Sequence, residues 1–184
     1  MKTMLAVLAP FALSGCVMLT DTYKTMTPET MGERIDVVHD DVEGVTRASS
    51  RKVLPVYEVG STVKDVYVVA TTQRGGFGIV VSAETNDPFI PVEGFIGHGI
   101  MAENVRATSH DVRCGLSVCF HQTEMISSFD KDAASTLLAG DAEWTSVRFV
   151  ASSGARITAN IRTMEIVATL NAIGNGSSGE ASAD

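Results

Sequence analysis

The apolar residues divide the chain into three parts. A continuous apolar run covers residues 4–13, short runs of β-branched and aromatic residues recur from about residue 41, and residues 174–184 are polar and rich in Gly and Ser. β-branched and aromatic residues favour strands, whereas a polar low-complexity segment buries too little apolar surface to fold. The pattern predicts a β-rich domain between an apolar leader and a disordered tail.

Two β-hairpins are the clearest predicted elements. In the first, strand-like residues 63–72 and 77–83 flank a Gly-Gly pair, which is typical of a hairpin turn. In the second, residues 143–151 and 155–161 flank a Ser-Ser-Gly turn. Further strands are predicted over residues 42–48, 53–59, 101–108 and 120–126.

Three short helices are predicted, over residues 28–38, 133–139 and 164–173. Thr27 followed by Pro28 is typical of a helix start, and Thr163 can cap the last helix. Gly174 is placed to end that helix.

The order of these elements predicts the fold class. Many short strands joined by turns, without regular alternation of strand and helix, favour an α+β domain that is mainly antiparallel β. The expected form is a sandwich, or a sheet with short helices. We expect one globular domain over residues 28–173, because the 184-residue chain has single-domain length.

The leader has the features of an export signal. Lys2 precedes the apolar run, and Leu13-Ser14-Gly15-Cys16 follows it. This arrangement resembles the signal peptide and lipobox of bacterial lipoproteins. The resemblance implies cleavage after residue 15, lipidation of Cys16 with acyl chains such as palmitate, and a tether over residues 16–27. Because Val17 follows the cysteine, the resemblance also implies an outer-membrane location facing the periplasm rather than the inner membrane.

Two other interpretations of the leader remain open. An uncleaved membrane anchor is one, since residues 5–19 are mostly apolar; however, a spanning helix needs about 20 apolar residues, and Pro10 and Ser14-Gly15 interrupt this stretch. The chain could also be secreted with Cys16 as a free thiol.

Charge excludes some partners. The formal net charge is −8, and no dense cluster of Lys and Arg is present. Such a chain is poorly suited to bind nucleic acid or anionic lipid. The expected partners are the membrane, through the lipid anchor, and another envelope protein.

The chain contains three cysteines, so two remain if Cys16 carries lipid. Cys114 and Cys119 are separated by four residues, a spacing that suits the two sides of a hairpin loop. Disulfides form in oxidising compartments such as the periplasm. The sequence therefore predicts a structural Cys114–Cys119 disulfide. A redox-active pair is less favoured because the spacing is not Cys-x-x-Cys.

The segment from Cys114 to Ile173 resembles a group of exported proteobacterial proteins of uncharacterised activity. The likeness rests on the cysteine pair, Glu124, the hairpin over residues 147–161 and the closing helix. It supports the predicted fold and implies no activity or site.

No motif predicts a catalytic residue, a metal site or a cofactor. Zinc ligands usually form closely spaced pairs, and the available cysteines and histidines do not. The sequence thus favours a lipid-anchored envelope protein with a non-enzymatic binding or accessory role. The alternative is a small periplasmic enzyme or ligand carrier with a site assembled from distant residues, namely His98, His110, His121 and Glu124.

Overall fold

In a computed structural model of the chain, the described residues are 23–53, 62–73, 75–97 and 99–176. Cys16 and the predicted signal peptide, most of the predicted strand over residues 53–59, and His98 lie outside this part. The predicted tail is described only as far as residue 176.

The described elements are, in chain order, α1 (Pro28–Gly32), β1 (Ile35–Asp40), β2 (Val45–Ser50), β3 (Val63–Thr71), β4 (Phe77–Thr85), β5 (Pro91–Ile96), β6 (Ile100–Met101), β7 (Asn104–Cys114), β8 (Cys119–Phe129), α2 (Lys131–Leu138), β9 (Trp144–Ala151), β10 (Arg156–Arg162) and α3 (Thr163–Gly176).

The strands form two antiparallel sheets. The large sheet has the order β1-β2-β3-β4-β8-β7, and the small sheet has the order β10-β9-β5-β6. The small sheet and α3 both pack on one face of the large sheet, since β10 contacts β3, β5 contacts β7 and β8, and α3 contacts β1, β2 and β3. We call this the inner face, and the opposite face the outer face.

The inner face holds the main hydrophobic core. Val66, Val68 and Ala70 alternate along β3 and are buried there. They belong to one core cluster with Phe149 of β9 and Ile166 of α3. Burial of each such aliphatic or aromatic side chain contributes about 1.5–3 kcal/mol, so this layer supplies much of the driving force for folding.

Gly94 lies where β5 of the small sheet passes close to β7 and β8 of the large sheet. A Cβ atom at this position would lie 2.8 Å from Cγ2 of Val105 and closer still to Oγ of Ser127. The absence of a side chain therefore lets β5 cross directly over β7 and β8.

A smaller hydrophobic cluster attaches residues 23–32, here called the N-terminal segment, to α3. Tyr23 and Met31 are buried, and Met164 and Ala168 of α3 pack against the cluster that contains them. Residues 23–27, which the sequence analysis assigned to the tether, therefore begin the folded part of the chain.

The predicted fold class is confirmed, with two mainly antiparallel sheets, several hairpins and a C-terminal helix. Both predicted hairpins are present, as β3–β4 and as β9–β10. Alternation of apolar residues and turn glycines was sufficient to predict them because both signals are local.

The predicted helix over residues 28–38 is wrong in its second half. Thr27 caps α1 as expected, but the helix ends at Gly32 and residues 35–40 form β1. β1 pairs along its whole length with β2, and its β-branched residues favour that extended pairing over a helix. The predicted strand over residues 42–48 begins too early, because residues 41–44 form the turn that joins β1 to β2.

The last helix is longer than predicted at both ends. It begins at Thr163 and continues past Gly174 to Gly176. The Thr163 hydroxyl lies 2.8 Å from that of Thr145, so it links the helix to β9. Within the described ranges, no helix is both long enough and apolar enough to cross a membrane.

The predicted disulfide is confirmed. Cys114 and Cys119 face each other at the end of the β7–β8 hairpin, with Cα atoms 4.0 Å apart and an S–S distance of 2.04 Å. The disulfide closes the loop at the tip of this hairpin.

Candidate functional site

The tip of the β7–β8 hairpin is apolar and exposed. Leu116 in the loop is fully exposed, and Val112, Val118 and Phe120 are each about half exposed. The disulfide fixes the two strand ends beside these side chains. The tip is therefore a constrained surface that leaves apolar area in contact with water.

Two of the histidines singled out in the sequence lie together on this hairpin. Nδ1 of His121 is 3.3 Å from Nε2 of His110, and the Thr123 hydroxyl is 3.3 Å from Nδ1 of His110. His110 and Thr123 are cross-strand partners, so the strand register brings the group together. The histidine pair lies on an exposed part of the β7–β8 hairpin.

Glu124 does not join this pair. Successive residues of a strand point to opposite faces, and Glu124 lies next to Thr123 on β8, on the outer face. Its Oε1 accepts a hydrogen bond of 2.9 Å from Thr108, and its Oε2 is 3.6 Å from the Lys52 ammonium. The structure thus separates Glu124 from the two histidines.

Several other carboxylates serve local structure. Asp40 accepts the backbone N–H groups of Val42 and Glu43 in a turn, and Asp130 accepts that of Ala133 at the start of α2. In the described part of the chain, no group of three or more His, Cys, Asp or Glu side chains is arranged to hold a metal ion.

Among the described residues, the most buried ionisable side chain is that of Glu165, in the first turn of α3. It is inaccessible to solvent, and its two oxygens accept hydrogen bonds from the hydroxyls of Tyr23 and Ser50. Ser50 in turn accepts the backbone N–H of Val68 at 2.9 Å. One carboxylate therefore connects the N-terminal segment, β2, β3 and α3.

Arg162 completes this network at the end of β10. Its side chain is buried, and its Nη1 donates to the backbone oxygens of Tyr23 and Met26 at 3.1 and 2.8 Å. Its backbone N–H donates to the Tyr23 hydroxyl at 3.2 Å, and its Nη2 lies 3.5 Å from Glu143. Arg162 thus binds the N-terminal segment at the backbone oxygens of Tyr23 and Met26 and at the Tyr23 hydroxyl.

Burial is the largest influence on ionisation in this network. It raises the pKa of Glu165, and the opposing hydrogen bonds from Ser50 and Tyr23 and the positive charges of Arg34 and Arg162 do not cancel it. Burial, followed by the charge of Glu165, also raises the pKa of Tyr23. The tyrosine therefore stays neutral and remains a hydrogen-bond donor.

The sequence reading missed this network. Tyr23 is 142 positions from Glu165, so no local pattern links them. The sequence did contain one signal. Glu165 and Thr169 are four residues apart and both lie beside the apolar stripe of the last helix. A carboxylate buried at such a position needs hydrogen-bond donors.

Trp144 lies beside the same network. Its ring contacts that of Tyr23 edge to face, with centroids 5.9 Å apart. It also lines an open surface cavity whose other described lining residues are Lys24, Glu143 and Asn160. Its fluorescence should therefore report on the docking of the N-terminal segment.

Comparisons of the chain with protein-family models, with curated proteins and with solved structures gave no significant match.

Replacing Glu165 by Gln tests the buried carboxylate, since it removes the titration and keeps the shape. Because the pKa of Glu165 is higher in the folded than in the unfolded state, protonation of its carboxyl group stabilises the fold. This stabilisation is fully present below the unfolded-state pKa, near 4.5, and is lost as the pH rises through the folded-state pKa. Between these two pKa values, the free energy of unfolding of the wild type should fall, relative to that of Glu165→Gln, by at most about 1.4 kcal/mol per pH unit. Urea denaturation followed by Trp144 fluorescence measures this, and a difference independent of pH between 4 and 8 would contradict it.

Proposed function

We propose that this chain is a lipid-anchored protein of the bacterial envelope, held at Cys16 in the outer membrane and facing the periplasm. Its folded domain has a non-enzymatic binding or accessory role. The observation that carries the proposal is the burial of Tyr23, seven residues after the predicted lipidation site.

The short connection limits where the domain can be. Seven residues of extended chain span at most about 25 Å, at 3.3–3.6 Å per residue. An anchor at Cys16 would therefore keep the domain within about one domain diameter of the bilayer. Two or more acyl chains are needed for stable anchoring, which is what a lipoprotein cysteine carries.

Two further features support this role. A structural disulfide fits an oxidising compartment such as the periplasm. The exposed apolar hairpin tip supplies a surface of the kind that proteins use for contact with each other. The partner expected at that tip is another envelope protein.

An enzyme or ligand carrier built from His110, His121 and Glu124 is the alternative function. The hairpin brings the two histidines together but holds Glu124 on the other side of the sheet. Such a site would need an acid from elsewhere, so the described geometry supports the binding role better.

Cys16→Ser tests the anchor. Without the thiol no acyl chain can be attached, so the protein should move from the membrane fraction to the soluble periplasmic fraction or remain unprocessed. Radiolabelled palmitate should enter the wild type and not the variant. Absence of label in the wild type, with the protein exported and intact, would overturn lipid anchoring.

Site-specific photo-crosslinking in intact cells tests the binding role. A benzophenone amino acid replacing Leu116 should give one discrete adduct with an envelope protein, because this side chain is fully exposed at the apolar tip. The same amino acid replacing Val42, which is equally exposed in the β1–β2 turn, is the control and should give none. Identical adducts at both positions, or none at position 116, would count against a partner at the tip.

A further inference from the structure

One edge of the large sheet is a long, exposed strand. β7 is the last strand in the sheet order, and within the described ranges no strand pairs with its outer side. Every residue of β7 except Val105 is exposed to solvent. A strand at a sheet edge presents N–H and C=O groups that can pair with a further strand. β7 therefore offers the backbone of 11 residues to a partner chain.

A β-bulge in β7 decides which of its side chains share a face. The pairing with β8 passes from Ala107 to Ser109, so Thr108 is an extra residue in β7. Successive residues of a regular strand point to opposite faces. Because of the extra residue, two residues that lie on either side of the bulge and are an odd number of positions apart point to the same face.

Two pairs of side chains are matched in this way. Val105 and Val112 point to one face of the sheet, because their partners on β8 are an even number of positions apart. Arg106 and Asp111 point to the other face for the same reason. The bulge thus places two valines on one face of β7 and two opposite charges on the other.

A second copy of β7 fits this edge in an antiparallel register. In the register that places Arg106 of one copy opposite Asp111 of the other, Val105 also lies opposite Val112. Each contact occurs twice, because a two-fold axis relates the copies. Residues opposite each other on antiparallel strands point to the same face. The register therefore needs the matched faces that the bulge provides.

Charge favours this register over its neighbour. Arg106 and Asp111 are both exposed, and neither is in any of the ion pairs among the described residues. Opposite charges that face each other across a strand pair stabilise it, and like charges destabilise it. A slip of two residues would place Arg106 opposite Arg113 of the other copy. Bulges and charged side chains protect a strand edge from indiscriminate pairing, and here they are compatible with one specific pairing.

From these observations we infer that β7 is a homodimer interface, at which a second copy of this chain adds its own β7 and joins two six-stranded sheets into one. Backbone hydrogen bonds give such strand addition its affinity, and side-chain pairs give it specificity. One strand pair is a small interface, so we expect a dissociation constant of about 10–100 μM. Leu116 lies beyond the paired residues and stays free for another partner. The dimer does not depend on the lipid anchor.

Cysteine crosslinking tests the register. The full chain carrying both Val105→Cys and Val112→Cys, oxidised with copper phenanthroline in dodecyl maltoside, should give a covalent dimer on a non-reducing gel. Facing Cα atoms on antiparallel strands lie about 4.5–5.5 Å apart, which is within disulfide range. Each single variant is a matched control and should give no dimer, since the two copies of one residue lie about 20 Å apart along the strands. No dimer in the double variant, or equal dimer in a single variant, would overturn the register.

Charge reversal tests the Arg106–Asp111 pairs without a covalent bond. In sedimentation velocity at no more than one chain per micelle, Arg106→Asp and Asp111→Arg should each weaken dimerisation by about ten-fold or more, because like charges then face each other twice. The variant with both changes restores opposite charges, so its affinity should return to within about three-fold of the wild type. Arg148→Asp reverses an exposed charge on β9, away from this edge, and should change the affinity by less than about two-fold.

Two results would overturn the interface itself. One is a wild type that remains monomeric at about 0.5 mM, a concentration above the expected dissociation constant. The other is a doubly reversed variant that dimerises no better than the weaker single variant. The wild-type measurement needs no substitution, so the proposal stays testable even if a variant fails to fold.

Discussion

The structure depends on a single buried carboxylate. Glu165 is removed from water in the first turn of α3, and an ionisable group in such a place destabilises the fold unless donors surround it. The hydroxyls of Tyr23 and Ser50 provide these donors, and Arg34 and Arg162 supply positive charge nearby. Removing one partner would leave the others unsatisfied in the interior, so the network commits distant segments to one arrangement.

This constraint explains why the chain before α1 is part of the domain. The Arg162 side chain donates hydrogen bonds to the backbone oxygens of residues 23 and 26. The Tyr23 hydroxyl donates to Glu165, and the Tyr23 ring contacts that of Trp144. The N-terminal segment also packs on α3, where Met164 and Ala168 adjoin the cluster that contains Tyr23 and Met31. A lipid anchor a few residues earlier would therefore be joined to the fold through this network rather than through a long flexible tether.

The two faces of the large sheet then have different roles. The inner face is occupied by the small sheet and α3 and forms the core. The outer face and the β7–β8 tip are left to carry polar and exposed apolar groups. The groups that remain exposed on the large sheet are thus peripheral to the core.

Local signals in the sequence were enough for much of the fold. The β3–β4 and β9–β10 hairpins, α2 and the Cys114–Cys119 disulfide each follow from patterns within about 20 residues. The reading failed at residues 35–38, where pairing with the neighbouring strand β2 overrides a helical spacing. Glu165 was missed because its partners come from another strand and from the opposite end of the chain. The proposed lipidation at Cys16 rests on the sequence and its resemblance to lipoproteins.

Hydrogen exchange of residues 23–32 tests the central claim most directly, namely that the Glu165 network holds the N-terminal segment to the domain. In the wild type, the hydrogen-bonded amides of this segment should be protected to an extent comparable with those of α3. Tyr23→Phe should increase their exchange, whereas Tyr67→Phe, at a tyrosine outside the network, should leave it unchanged. Unprotected exchange of residues 23–32 in the wild type, or the same exchange in both variants, would contradict the account.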